Sequence, residues 1–269
     1  DNWGMFCYLR DVATGAFWST AHQPTLKQAD TYEAIFSEGR AEFRRRDHDI
    51  ETHTEIVVSP EDDIELRRIH ITNCARVRRT IEITSYAEVV LAAPAADALH
   101  PAFSNLFVQT EILRDRQAIL CTRRPRSVDE HLPWMFHQMA VRDVPATAVS
   151  YETDRMRFIG RTRSVDSPLA MTEAGALSGS EGSVLDPIVA IRCRITLEAE
   201  QTATVDVVSG IATARQEALG LIGKYGDRHL SSRVFDLAWT HSWVNLRQID
   251  ASESDAQLYC RMAGSVIYA

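Results

Sequence analysis

What this chain lacks excludes whole classes of function. No apolar run approaches the roughly 20 residues that cross a bilayer, so direct membrane insertion is not expected. No signal peptide is expected in this sequence, where Asp1-Asn2-Trp3 leads straight into strand-like residues. No initiator Met precedes Asp1, and the expectation is a piece excised from something longer. The five cysteines, Cys7, Cys74, Cys121, Cys193 and Cys260, are odd in number and form no CxxC pair, which argues against zinc. Four of them lie in apolar strand-like or helix-like stretches, where Cys behaves as a small buried hydrophobe. Reduced thiols and a reducing compartment follow. The nine histidines show no HxH or HExxH spacing, so no metal is expected. There is no GxSxG, no Gly-rich phosphate loop and no evident Cys–His pairing, hence no cofactor and no self-sufficient catalytic constellation. A formal net charge of −8 argues against nucleic acid, which requires a clustered basic face. A basic run, Arg123-Arg124-Pro125-Arg126, reads either as a solvated strand end or as an anion or interdomain acidic contact. No internal repeat or low-complexity tract occurs.

What is present is a succession of short strands and then helices. A length of 269 residues suits one large β domain, or one domain with an appendage. Such a chain buries roughly 70–75% of its unfolded surface, enough for an ample core. Trp3–Arg10 and Ala16–Thr20 flank the turn Asp11–Gly15 and predict a hairpin. Glu42–Arg46 and Glu51–Val58 flank Asp47-His48-Asp49 and predict another. After the turn Ser59-Pro60-Glu61-Asp62-Asp63, Ile64–Thr72 puts Ile69 and Ile71 on one face and His70 and Thr72 on the other. Arg79–Ala87 has period two, with Ile81, Ile83 and Ser85 against Thr80, Glu82 and Thr84. Phe107–Ile112, Ala118–Thr122, Met135–Val141 and Ala148–Tyr151 are shorter strands, and Ser164–Ser183 reads as a long loop. Ile188–Leu197 and Thr202–Ile211 are expected to pair across Glu198–Gln201. This spacing predicts a large antiparallel sandwich over residues 1–212. Helices follow over 213–269: Ala214–Tyr225 ended by Gly226, one capped by Ser231 or Ser232, and one opened by Ser252-x-x-Asp255.

The segment between Thr80–Leu91 and Phe107 is where function is sought. It is rich in Ala and Pro and carries His100-Pro101-Ala102-Phe103-Ser104-Asn105. A connection this long is more often functional, or wrapped on a partner, than idle.

Six motifs occur in order: Asp1-Asn2-Trp3-Gly4; Tyr8-Leu9-Arg10-Asp11 with Thr14-Gly15 and Trp18-Ser19; Val58-Ser59-Pro60-Glu61-Asp62-Asp63; Ser85-Tyr86-Ala87-Glu88; His100-Pro101-Ala102-Phe103-Ser104; and Arg123-Arg124-Pro125-Arg126-Ser127. Together they resemble glycoside hydrolase family 94, the inverting disaccharide phosphorylases, and within it the phosphorylase-like region of cyclic β-1,2-glucan synthases. The likeness covers nearly the whole chain. It implies a β-supersandwich similar to the galactose-mutarotase fold, then a helical linker towards an (α/α)6 barrel. In the family that barrel holds the general-acid Asp and most contacts to phosphate, which is a co-substrate of the parent enzyme only. No residue here inherits the acid's role. The implied partners are a β-glucan oligosaccharide, the chain's own barrel and a second copy of the chain. The implied location is the cytoplasmic face of the inner membrane, within a larger membrane protein. In simpler relatives a loop after the SYxE-type strand reaches the sugar cleft. The matching stretch is Ala95–Asn105, which makes His100, Phe103, Ser104 and Asn105 the substrate-contacting candidates. Cellobiose-type enzymes carry an Arg near the position of Asn105.

Each sharp reading stands beside a bland one. Inverting phosphorolysis needs one carboxylic acid on the leaving oxygen while phosphate attacks the opposite face. Glu61, Asp62 and Asp63 are the densest carboxylates, but they sit in a Pro-containing turn where acids cap and solvate. Arg10 and Asp11 are weaker sugar candidates, or a strand-end charge pair. Trp18 is a stacking platform or a core residue, and Trp239 and Trp243 are core or barrel packing. A mutarotase-like epimerase would need an acid and a base at one sugar site, with His70 or His100 against Glu88 as the pairing on offer.

Overall fold

The computed structural model describes residues 4–125 and 132–267. The Trp3 start of the first strand, the end of the 123–126 basic run and the chain's last two residues therefore lie outside the described residues. Among the described residues thirteen strands form two antiparallel sheets, with four short helices between strands and three longer ones after them. One sheet has five strands in the order β11-β12-β7-β1-β2 and the other eight, β3-β4-β5-β6-β13-β10-β9-β8. In chain order they are β1 Phe6–Asp11, β2 Phe17–Ser19, β3 Thr31–Ser37, β4 Arg40–Asp47, β5 Ile50–Val58, β6 Ile64–Asn73, β7 Arg79–Glu88, β8 Val108–Leu113, β9 Ala118–Arg123, β10 Trp134–Arg142, β11 Ala148–Asp154, β12 Pro187–Leu197 and β13 Thr202–Ala212. The helices are α1 Pro94–Leu99, α2 Pro101–Asn105, α3 Arg155–Ile159, α4 Leu169–Thr172, α5 Arg215–Gly226, α6 Arg228–Gln248 and α7 Glu253–Ile267.

The period of two sorts residues into three apolar layers. Leu9, Ile69, Ile71, Ile81, Ile83, Ile119, Ile191 and Val205 fill the space between the sheets. Ile64, Leu66, Leu120, Phe136 and Val208, on the outer face of the larger sheet, pack on Ala218, Ile222, Tyr225 and Val234 of α5 and α6. Phe6, Tyr8 and Tyr86, on the outer face of the smaller sheet, are roofed by Phe158, Ile159 and Met171. Each such fully buried side chain contributes roughly 1.5–3 kcal/mol relative to exposure. β7 is buried on both faces, which makes it the spine of the smaller sheet.

Both predicted hairpins form. β4 and β5 pair from Asp47↔Ile50 onward, with His48 and Asp49 at φ of 50° and 64°, the positive values that a two-residue hairpin turn needs. The strands at the end of the domain differ from expectation. β12 and β13 do not pair with each other: β12 joins β7 and β11, while β13 crosses to β6 and β10. The turn at 198–201 thus links the sheets, and Asn73 Nδ2 holds it through the carbonyls of Leu197 and Glu198. β3 carries no sequence signal because it is a mostly exposed edge strand. The Ala95–Asn105 stretch is two short helices rather than a loop. Each begins on a proline, Pro94 and Pro101, whose missing N–H costs nothing in a first turn.

At the C-terminal end, α6 starts earlier than Ser231. The Asp227 carboxylate accepts from the backbone N–H groups of His229 (2.8 Å) and Leu230 (3.1 Å), while Ser231 Oγ is spent on Asp206. The Ser252–Asp255 capping box forms reciprocally: Ser252 N donates to Asp255 Oδ2 at 2.9 Å and Asp255 N to Ser252 Oγ at 3.3 Å. Gly39, at φ +75°, lets α6 approach the β3–β4 hairpin, because a Cβ there would lie 2.6 Å from Ser242 Oγ. α7 is largely exposed in the single chain: among its described residues only Ala256 is buried, and Leu258, Tyr259, Met262 and Val266 are exposed. Cys260 on that helix is also exposed, unlike Cys7, Cys121 and Cys193, whose thiols burial pushes up in pKa. Among the described residues no helix is long and apolar enough to cross a membrane.

The acidic turn after β5 clamps α5 to the sandwich. Ser59 Oγ accepts from the N–H groups of Glu61 and Asp62, and Asp62 accepts from Lys224 Nζ (2.6 Å) and from the hydroxyl of buried Tyr225. Burial raises the Asp62 carboxyl, but its hydrogen bonds from Lys224 and Tyr225 outweigh that and hold it below the ordinary range. Asp62→Ala strands the Tyr225 hydroxyl, and we expect a loss of about 1–3 kcal/mol. Amide exchange over residues 215–226 should accelerate more than elsewhere; uniform exchange would show that the clamp is not local.

Candidate functional site

The C-terminal end of β7 opens into a cleft of about 380 Å³. Glu88, Asp97, Asn105, Arg155 and Asp186 are its polar lining, with Val89, Val90, Ala102, Leu185 and Pro187 around them. β7 sends Ser85 inward and turns Tyr86 and Glu88 to the outer face. Ser85 Oγ lies 2.7 Å from His137 Nε2 between the sheets, and the Tyr86 hydroxyl donates to Glu88 Oε1 at 3.0 Å. Arg155, at the start of α3, donates from Nε to the same oxygen at 3.0 Å and approaches Asp186 to 3.7 Å. Asn105 Nδ2 closes the ring by donating to Asp186 Oδ1 at 3.0 Å. The Asp186 carboxyl is raised above its ordinary value; burial is the largest cause, Glu88 and Asp154 add to it, and Arg155 and Asn105 oppose it.

These groups suit a neutral polyhydroxyl ligand. Carboxylates accept from sugar hydroxyls, while a guanidinium and a carboxamide donate to them. An anion is disfavoured, because Arg155 stands against three carboxylates. A perturbed carboxyl in a cleft is a functional-site signal.

Of the sequence candidates, only Asn105 is placed directly in the cleft lining. Ser104 is buried and its Oγ accepts from Arg123 Nη1 at 3.1 Å. Arg123 also donates to the Val90 carbonyl, so it is a buried tie beneath α2 and not a solvated strand end. Phe103 is 57% exposed and meets Phe107 edge-on, with ring centroids 5.2 Å apart. His100 is exposed at the N-terminus of α2, where its side chain caps nothing.

Arg10, Asp11 and Trp18 lie elsewhere, in the smaller sheet. Arg10 and Asp11 do not pair with each other. Arg10 is buried and donates to Glu82 Oε2 at 3.0 Å. Asp11 accepts from Arg79 and from the N–H groups of Ala13 and Thr14. Trp18 is 1% exposed and packs on His48, so its faces are closed to a sugar. The acid–base pairings weighed from sequence are not assembled: Glu88 engages Tyr86 and Arg155, whereas His70 engages Glu55 and Thr204, and the described lining of the cleft has no histidine. Arg155 and Asp186 escaped the sequence reading because they come from segments with no shared spacing. The one local signal, Asp186-Pro187 at the start of a strand, reads equally as a turn.

Residues 1–228 match the family described as glycosyl hydrolase 94, supersandwich domain, and the chain belongs to that family. It is 31% identical over 268 residues to cyclic beta-(1,2)-glucan synthase NdvB of Rhizobium meliloti (strain 1021), covering 100% of this chain and 10% of that protein. It is 25% identical over 219 residues to solabiose phosphorylase of Paenibacillus borealis, covering 81% and 27% of the two chains. It is 26% identical over 229 residues to N,N'-diacetylchitobiose phosphorylase of Vibrio furnissii, covering 84% and 27%. The chain thus spans between a tenth and about a quarter of the length of these relatives.

Proposed function

We propose that this chain is the non-catalytic sandwich domain of a cyclic β-1,2-glucan synthase. It supports a phosphorylase-like barrel, and the end of β7 with α2 forms one wall of that region's glucan cleft. The parent would act at the cytoplasmic face of the inner membrane. The cleft at Glu88, Asn105, Arg155 and Asp186 carries the reading, because its donors and acceptors fit hydroxyl groups and its charge disfavours phosphate. Phosphate would then be handled by the barrel, and this chain alone is inactive. The exposed apolar residues of the last helices, Trp239, Leu258, Tyr259, Met262 and Val266, fit the reading as a face the barrel covers. A second copy is the alternative cover for the isolated chain.

A second reading, an autonomous carbohydrate-binding module, is favoured by one observation. Trp239 is 61% exposed and meets Trp243 edge-on at 5.9 Å, beside Glu38, Asp236 and Glu253. An aromatic face flanked by carboxylates can stack a pyranose.

One titration separates the two. With β-1,2-gluco-oligosaccharides, NMR perturbations are expected at Asn105, Glu88 and Arg155, with a Kd on the order of millimolar. They should be lost in an Asn105→Ala, His100→Ala variant. Perturbations centred on the Trp239 and Trp243 indoles would favour the module. Phosphate consumption by this chain alone would end the non-catalytic reading.

A further inference from the structure

We propose that the outer face of the eight-stranded sheet carries a divalent transition-metal site, built by Glu42, His53 and Glu55 with His70 as fourth ligand. Strand register brings these residues together. Glu42 lies opposite Glu55 on β4 and β5, and His53 opposite His70 on β5 and β6. Alternation puts all four on one face, as two carboxylates in one row and two imidazoles in the next. One ligand atom from each of Glu42, His53 and Glu55 already lies within 4.8 Å of the others. His53 Nε2 stands 2.8 Å from Glu42 Oε2, and His70 Nε2 stands 3.7 Å from Glu55 Oε2. Zinc bonds of about 2.0–2.1 Å put tetrahedral ligands about 3.3 Å apart, so the three must close in and His70, whose ring centre lies 6.0 Å from that of His53, must turn towards them.

A separate contact prepares the imidazole. His70 Nδ1 lies 3.2 Å from Thr204 Oγ1 on the neighbouring strand. When that hydroxyl accepts the Nδ1 proton, the lone pair sits on Nε2 and points at Glu55. Ligating histidines are held in this way by an outer partner. Two carboxylates and two neutral imidazoles balance a 2+ ion, and a mixed nitrogen and oxygen set with two histidines selects zinc-like ions over magnesium or calcium.

Arg40 is the competitor. Its guanidinium donates to Glu55 at 2.8 Å and stands 2.8 Å from Glu42, closer than Arg44 at 3.7 Å from Glu42, and acts as the main resident cation of the metal-free form. Its side chain is 42% exposed and can swing into solvent as the ion enters. With four protein ligands the site is closed, so its role is to clip three strands together beside the exposed edge strand β3. The inference is independent of the sugar reading and uses none of its residues.

The test is titration of the dialysed full chain with Co2+, followed by its ligand-field absorption, and with Zn2+ by calorimetry in a non-chelating buffer. One equivalent is expected, with the intense absorption of a four-coordinate Co2+ site. His53→Ala and Glu55→Gln should each weaken binding at least about tenfold. Arg40→Ala should tighten it, whereas Glu173→Gln, at the exposed end of α4 over the smaller sheet, should leave it unchanged. If His53→Ala fails to fold, the Arg40→Ala result decides alone. Absence of uptake, uptake that His53→Ala and Glu55→Gln leave intact, or no tightening by Arg40→Ala overturns the proposal.

Discussion

Glu82→Ala is expected to destabilise the domain by about 3–5 kcal/mol, the cost of leaving buried positive charge without its partner. Glu82 is 1% exposed on β7 and gathers three arginines. Arg10 Nη1 donates to it at 3.0 Å, Arg194 Nη2 at 2.6 Å, and Arg192 Nη1 stands 4.0 Å away. Arg10 and Arg192 are themselves buried. Burial works to raise the Glu82 carboxyl, but the bond from Arg194, the charge of Arg192 and the bond from Arg10 hold it below its ordinary 4.5. The Arg192 guanidinium is pushed down to about 10 by burial, with Glu82 opposing and the other two arginines assisting. Removing Glu82 takes away the opposing charge and leaves the repulsion. Arg192 also donates to the carbonyls of Ala170 (2.6 Å) and Gly175 (2.8 Å), so the roof over Tyr8 and Tyr86 should loosen with it. Urea unfolding measures the loss, and pairing the change with Arg10→Met should recover part of it. A loss under about 1 kcal/mol would mean that water reaches the cluster and the charges are screened. The sign with pH follows from the depressed carboxyl: the network's contribution is present above about 4.5 and is lost as pH falls through the folded value.

The same cluster explains what sequence could and could not tell. β7 is legible because Ile81, Ile83 and Ser85 alternate with Thr80, Glu82 and Thr84. Alternation reports that a strand has two faces, not that both are covered, and here both are buried. Arg10 and Asp11 looked like one charge pair because they are adjacent in sequence. Adjacent strand residues point to opposite faces, so Arg10 went to Glu82 and Asp11 to Arg79. The pairing of β12 with β13 failed for a related reason. A short turn between two apolar strands suggests a hairpin, but a link between stacked sheets can be as short, and only the neighbours of each strand decide.

The sites were less legible than the fold. The Ala95–Asn105 stretch was marked by its position after Glu88, and α2 does bring Asn105 to the cleft. Its partners Arg155 and Asp186 lie 50 and 81 residues further along the chain. No periodicity links them, since the cleft forms where β7, α2, α3 and the start of β12 meet. The Glu42, His53, Glu55 and His70 cluster was hidden likewise: metal-ligand spacings read along one helix or loop cannot find ligands dealt out one or two per strand across a sheet.

His137 sets the last expectation, a loss of stability between pH 6.5 and 5 that a non-titrating replacement removes. The ring is fully buried between the sheets, with Nε2 2.7 Å from Ser85 Oγ and Nδ1 2.7 Å from Ser209 Oγ. A hydroxyl can donate to one nitrogen and accept from the other, so the neutral imidazole is fully satisfied. Burial, helped by the nearby Arg67 charge, lowers its pKa from 6.5 to about 3. The folded value lies below the unfolded one, so the unfolded chain takes up a proton that the folded one refuses. The contribution is intact above 6.5 and is lost as pH falls towards 3. The slope is about 1.4 kcal/mol per pH unit, or roughly 2 kcal/mol between pH 6.5 and 5. Asp11, Asp62 and Glu82 titrate from depressed values and add their own losses only at lower pH, and the raised Asp186 carboxyl acts with the opposite sign, so the difference between wild type and variant isolates the histidine. Urea midpoints for the wild type and His137→Gln, compared at pH 7 and pH 5, measure it. The variant should start lower, because Ser85 and Ser209 lose a matched partner, and should then fall less. Parallel declines in the two proteins would mean that the ring is protonated in the folded state and that the space between the sheets admits a charge.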